Sequence, residues 1–281
     1  MIVKDFVLDF DHKVFLGDNV FQCDGLTEIS NAFETARNAG AEGEYIIGKT
    51  KNGRPINIRA KITNAEADGL QRYFAQGEEH TLYIGNRKIN CYCELSKIER
   101  SNGNLNVFPV LALQLFAPDP YFYDVFNFGE NLAGVQPMFG FPWMSTKQDG
   151  FATGYKIFGG RVAFANKGDV AVGFNVKFKA ARGTAKNIRF SNLDTGEFIE
   201  VLCDLIQDDE LEISTITGKK YIKLNGVDIF NQINRKSTFF SLSKGNTLLG
   251  FSAEVGETNL DAYLYCVPKY TNGLVIDDES T

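Results

Sequence analysis

Residues Gly43-Glu44-Tyr45-Ile46-Ile47-Gly48-Lys49-Thr50 fit G-x-x-x-x-G-K-[ST], the pattern of a loop that wraps nucleotide phosphates. Leu274-Val275-Ile276-Asp277-Asp278-Glu279 has the form of the apolar run and carboxylate that hold Mg²⁺ beside such a loop. A working loop needs mobile backbone N–H groups around the phosphate and a helix that starts at its Lys-Thr. Here the centre is Tyr45-Ile46-Ile47, which favours extended chain. Thr50 is followed by Lys51-Asn52-Gly53-Arg54-Pro55, which has the composition of a turn. The spacing therefore predicts a strand ending at a hairpin turn and no nucleotide site.

Cys91 and Cys93 sit two apart on an expected strand, so both thiols face one side. A tetrahedral zinc site needs two further ligands, and no second Cys or His pair supplies them, so both are expected in the core. The histidines are His12 and His80; neither lies near a G-x-S-x-G elbow, and His80 is expected to cap an exposed turn after Gly77. Asp204, Asp208, Asp209, Glu210 and Glu212 are read as a solvated turn before a strand, not as paired catalytic carboxylates. Phe139, Phe141, Trp143 and Phe151 offer either a sugar-stacking platform or a packed interface. No catalytic residue, metal ligand or cofactor is assigned.

The elements that position these residues are mostly strands. Ile56, Ile58, Ala60 and Ile62 alternate with Asn57, Arg59 and Lys61, a period of two. Thr63 and Glu66 form a capping box that opens a helix carrying Leu70, Tyr73 and Phe74 on one side. Thr81 to Ile84, Gly85-Asn86 and Lys88 to Ile98 read as a hairpin. Asn106 to Phe116 reads as a strand buried on both faces. It stops at Pro118-Asp119-Pro120-Tyr121, where two prolines force an extended turn; this is the expected domain boundary. From about residue 160, turn signals such as Asp194-Thr195-Gly196, Asn225-Gly226 and Lys244-Gly245-Asn246 punctuate short alternating strands, which suggests a β-sandwich. The expected fold class is mainly β.

The 281 residues are 44% hydrophobic and 23% charged, ample for a buried core, which excludes a disordered chain. The net charge of -6 argues against general affinity for nucleic acid. Lys4, Asp5 and Asp9 interrupt the first apolar stretch, so a soluble protein without a secretory leader is expected. Five scattered cysteines suggest synthesis in a reducing compartment. Residues 156–189 carry eight basic side chains and one acidic, whereas 194–212 carry eight acidic and none basic. These segments are expected either to be solvated strand faces or to meet between neighbouring copies.

The strand running into Ala117-Pro118-Asp119-Pro120-Tyr121-Phe122-Tyr123, the preceding β-rich half with one helix, and the ordered turns Asn166-Lys167-Gly168-Asp169, Asn192-Leu193-Asp194-Thr195-Gly196-Glu197 and Leu242-Ser243-Lys244-Gly245-Asn246 together resemble the distal tail proteins (Dit) of siphophages that infect Gram-positive bacteria. The resemblance implies a ring-forming N-terminal domain over 1–128, and a connector with a galectin-like β-sandwich over 129–281. It implies a homohexameric ring at the distal end of the phage tail, assembled in the host cytoplasm. The implied partners are the tail tube, tape measure, tail-associated hub and receptor-binding proteins. DNA would pass the lumen without specific binding, and neither a membrane nor a cofactor would be involved. The role would be structural, not enzymatic. The rival reading is a lectin-like carbohydrate-binding module for host adhesion.

Overall fold

The computed structural model describes residues 8–11, 14–15, 17, 19–38, 40, 42–75, 77–100, 108–125, 128–131, 135–137, 154–156 and 161–274. The chain divides into two compact units: Met1–Phe126 with Lys269–Thr281, and Asn127–Pro268. The end of the chain thus returns to the first unit.

The first unit is built on a nine-stranded sheet whose strands pair antiparallel. Its order runs Val14–Phe15, Leu8–Phe10, Glu79–Ile84, Arg87–Glu99, Val110–Ala117, Arg54–Lys61 and Val20–Asp24. Phe122–Asp124 joins beside Arg87–Glu99 and pairs in turn with the returning Lys269–Tyr270. Ile56, Ile58 and Ala60 point inward, as their period of two requires. Val110–Ala117 is not buried on both faces. Leu111, Leu113, Leu115 and Ala117 are buried, but Gln114 is exposed and Val110, Ala112 and Phe116 are half-buried. An antiparallel sheet with its core on one side needs only one apolar face.

The helix Asn64–Tyr73 covers that core. Thr63 Oγ1 accepts from the Glu66 N–H at 3.3 Å, and Glu66 Oε2 accepts from the Thr63 N–H at 3.0 Å, so the capping box is formed. Ala67 and Phe74 are buried beneath it, and Phe74 meets Phe10 edge-on at 4.9 Å.

The second unit is a β-sandwich. One sheet orders Phe128–Asn131, Leu260–Cys266, Phe174–Ala180, Glu210–Ser214, Tyr221–Leu224 and Val227–Asp228; the other orders Arg161–Asn166, Gly245–Val255, Ala185–Asn192 and Phe198–Leu205. Alternating residues from both sheets interleave between them, with Phe174, Phe178, Phe190 and Phe240 fully or almost fully buried. The outer edge of Phe198–Leu205 is not left open. Ile233 bridges to Val201, Asn234 N–H donates to the Glu200 carbonyl at 2.8 Å, and Thr238 N–H donates to the Phe198 carbonyl at 2.8 Å. Covering the edge removes a template for unwanted strand pairing.

The oppositely charged segments meet within this sandwich. Phe174–Ala180 pairs with Glu210–Ser214, and Ala185–Asn192 pairs with Phe198–Leu205. Lys177 Nζ lies 2.8 Å from Glu212 and 3.2 Å from Glu210, and Lys186 Nζ lies 2.8 Å from Asp204. Register places Lys177 across from Glu212 and Lys186 across from Asp204, so these charges are matched within one chain.

Candidate functional site

Two arrangements stand out in the first unit: a buried polar clasp at the boundary motif and an exposed apolar arm.

The clasp is centred on Arg54, which is 2% exposed. It shares the inward parity of Ile56 and Ile58, so its strand carries the guanidinium into the core. Nε donates to the Pro120 carbonyl at 2.7 Å, Nη1 to Gly25 at 2.7 Å and Nη2 to Thr271 at 2.6 Å. The guanidinium also stacks 4.9 Å above the Phe122 ring. Burial lowers the Arg54 pKa from its usual value, and the Glu28 charge works against that shift. Three carbonyls held in a fixed fork suit the planar geometry of arginine and not a lysine. Gly25 has φ +89, and a Cβ there would run into the Pro55 carbonyl, so only glycine presents this acceptor without strain.

Asp119 is the second centre of the clasp. Its carboxylate accepts from the Tyr121 N–H at 3.3 Å, from Lys269 Nζ at 2.9 Å and from the Tyr123 hydroxyl. Burial pushes this carboxylate up, but the bonds from Tyr123 and Lys269 and the Lys269 charge outweigh it, and its pKa is lowered. The Lys269 ammonium lies 5.4 Å over Tyr121 and 5.1 Å over Tyr123. The boundary motif Pro118, Asp119, Pro120 and Tyr121 thus fastens the outgoing strand to the returning end of the chain.

The arm is the hairpin of Asn31–Ala36 with Tyr45–Lys51, and among the described residues these strands pair only with each other. This is the phosphate-loop look-alike, and it is a strand, as its Tyr-Ile-Ile centre predicts. Thr50 leads through Asn52 and Gly53 into the next strand, with no helix to bind phosphate. Phe33 is 52% exposed, Tyr45 50%, Ile46 60% and Ile47 54%. A two-stranded ribbon is marginal in water on its own, and here it presents apolar side chains to solvent. At its root Lys51 Nζ lies 5.3 Å over the Tyr121 ring, which links the arm to the clasp.

His80 does not cap an exposed turn. It is buried at 3%, with Nδ1 3.1 Å from Asp11 Oδ2. Asp11 also accepts from the Tyr73 hydroxyl at 2.7 Å and the Thr81 N–H at 2.8 Å. Glu79–Ile84 is an inner strand of the sheet, so its alternation turns His80 inward. Cys91 and Cys93 share one buried side, donating to the His80 and Phe74 carbonyls at 3.4 Å; burial pushes the Cys91 thiol up to about 12. Among the described residues no group of three or more His, Cys, Asp or Glu could hold a metal ion. The acidic turn is structural, with Asp209 accepting from the Ile206 N–H at 2.9 Å and from Asn225 at 2.8 Å. Phe139, Phe141, Trp143, Phe151 and His12 lie outside the described residues. Sequence reasoning assigned Arg54 to a turn and missed the clasp; its parity with Ile56, Ile58 and Ala60 was the available signal.

Residues 167–262 match the family model of the siphovirus-type tail component, C-terminal domain. No curated protein matches the chain. Among solved structures, the chain is similar to SPP1 Dit (gp 19.1), described as a paradigm of the hub adsorption apparatus in phages infecting Gram-positive bacteria. The identity is 14% and the TM-score 0.67, over 94% of this chain and 98% of that one. It also aligns with a chain of the phage P2 baseplate in its activated conformation with Ca, at 13% identity and TM-score 0.45, covering 94% and 98%. The family match lies within the sandwich, and the likeness to SPP1 Dit is one of fold over nearly the whole chain.

Proposed function

We propose that this chain closes head-to-tail into a hexameric ring that joins the tail tube to the tail-associated hub, with the sandwich carrying receptor-binding proteins. The observation that carries the ring is the arm. Its exposed Phe33, Tyr45, Ile46 and Ile47 stand on a ribbon that pairs with no other strand among the described residues, and a second copy would supply a partner. Such a contact uses different surfaces on the two copies, and it ends in a ring when the rotation closes. The number six, the tape measure, tube and hub neighbours, and assembly in the host cytoplasm follow from the resemblance to distal tail proteins. The ring is assigned to the first unit, and the seat for receptor-binding proteins to the second. DNA passes the lumen without being held, in keeping with five more acidic than basic residues over 1–130 (13 basic, 18 acidic). The role is structural and no catalytic step is assigned; the buried thiols and the paired carboxylates serve packing and cross-strand pairing.

The test is the mass of the purified chain in solution, followed by negative-stain imaging. A mass near six copies with open rings supports the reading. A monomer that also fails to enter tails when added to assembly extracts lacking it overturns the reading.

A further inference from the structure

The second unit carries a surface that its own core does not use. The strands Tyr221–Leu224 and Val227–Asp228 lead into the segment that seals the sandwich edge. There the rings of Phe230 and Phe239 stack nearly parallel, 8° apart in plane and 5.7 Å between centroids. Phe239 packs against the core, while Phe230 is 44% exposed and Val227 67% exposed. Lys220 Nζ lies 5.5 Å over the Phe239 ring. Lys219, Lys220, Arg235 and Lys236 are all exposed and take part in no ion pair among the described residues. The carboxylate on this stretch, Asp228, is engaged by the Phe230 N–H at 2.8 Å. Lys223 stands opposite Glu212 in register.

This segment is held in place before anything binds. Ile229 N–H donates to the Ile222 carbonyl at 2.9 Å, Gln232 N–H to Ile229 at 2.8 Å, and Ser237 N–H to Asn234 at 2.9 Å. The buried Ile229 and Phe240 pin its two ends. A preordered apolar surface is cheap to bind because little freedom is left to lose.

We propose that this surface docks an acidic segment of a partner protein, with an aliphatic or aromatic anchor seated on Phe230 and Val227. Charge complementarity selects the partner: four exposed cations with no ion pair among the described residues, against the single carboxylate Asp228 in residues 219–239, call for carboxylates. An acidic peptide with an apolar anchor uses both these cations and the exposed Phe230 and Val227, which a neutral saccharide does not. This inference stands apart from the arm and the ring.

The test uses the full chain and a fluorescent synthetic peptide of glutamates with leucine at every third position, read by anisotropy. Binding is expected to weaken by about ten-fold or more for Phe230→Ser, for the double variant Lys219→Glu/Lys220→Glu, and on raising salt from about 50 to about 300 mM. Both changes lie on the exposed surface, and an unchanged thermal midpoint of the sandwich shows that the fold is retained. The proposal is overturned if the peptide does not bind or if the variants bind it equally. It is equally overturned if a glutamate–serine peptide or polygalacturonate binds as tightly as the leucine-bearing peptide.

Discussion

Within a span of two dozen residues the first unit inverts the usual placement of side chains twice. Arg54 puts a full charge inside, whereas Phe33, Tyr45, Ile46 and Ile47 put apolar surface outside. The difference between them is satisfaction. The guanidinium finds three carbonyls and an aromatic ring within the same unit, so its burial is complete and its role is to hold that unit together. The arm finds no neighbouring strand among the described residues, and the proposed ring would give its exposed face a partner. Arg54 should therefore govern stability without touching assembly, and the arm should govern assembly without touching stability.

The comparison breaks hardest if the clasp is cut. A chain ended at Pro268 loses Lys269, Tyr270 and the Thr271 carbonyl, and the first unit is expected to lose its unfolding transition in calorimetry while the sandwich keeps its own. Next in size is Arg54→Met, which removes the hydrogen bonds to the Pro120, Gly25 and Thr271 carbonyls. It should cost the first unit about 3 kcal/mol by denaturant titration, at about 1 kcal/mol per lost bond. Arg54→Lys should recover part of this, since an ammonium cannot reach all three acceptors. Thr63→Ala, which removes the helix cap, should cost about 1 kcal/mol in the same unit.

A pH series sharpens the same side of the comparison. Asp119 and Asp11 both have lowered pKa values, so each stabilises the fold only when ionised. That contribution is fully present above the ordinary carboxylate value of 3.8 and is lost as pH falls through the lower folded value. The first unit should therefore weaken on acidification below about pH 4, and Asp119→Asn should flatten this acid limb while leaving the sandwich transition unmoved.

Much of the fold was legible because short-range signals wrote it. The capping box at Thr63 and Glu66, the Gly85-Asn86 hairpin and the inward Ile56 and Ile58 all follow from local spacing. What stayed hidden depended on partners far away in the chain. Arg54 looked like a turn residue because its acceptors at Gly25, Pro120 and Thr271 are up to 217 positions distant. Asp119 was legible as part of a boundary, but its pairing with Lys269 spans 150 positions. His80 was misplaced because its carboxylate, Asp11, lies 69 residues earlier. The charged segments were visible, yet only strand register shows that they face each other across one sandwich. Tyr45–Ile47 was legible as extended chain, but its partner strand Asn31–Ala36 was not, nor that the two pair with no other strand among the described residues.

The most direct test of this account is sedimentation of the Phe33→Ser/Ile46→Thr/Ile47→Thr variant beside the unaltered chain, each paired with a thermal scan. These side chains already stand in solvent, so both unfolding transitions should stay in place, with stability changed by less than about 0.5 kcal/mol. The account predicts ring-sized particles for the unaltered chain and monomers for the variant at the same melting temperatures. Rings that persist in the variant, or a first unit that melts earlier while rings still form, would contradict it.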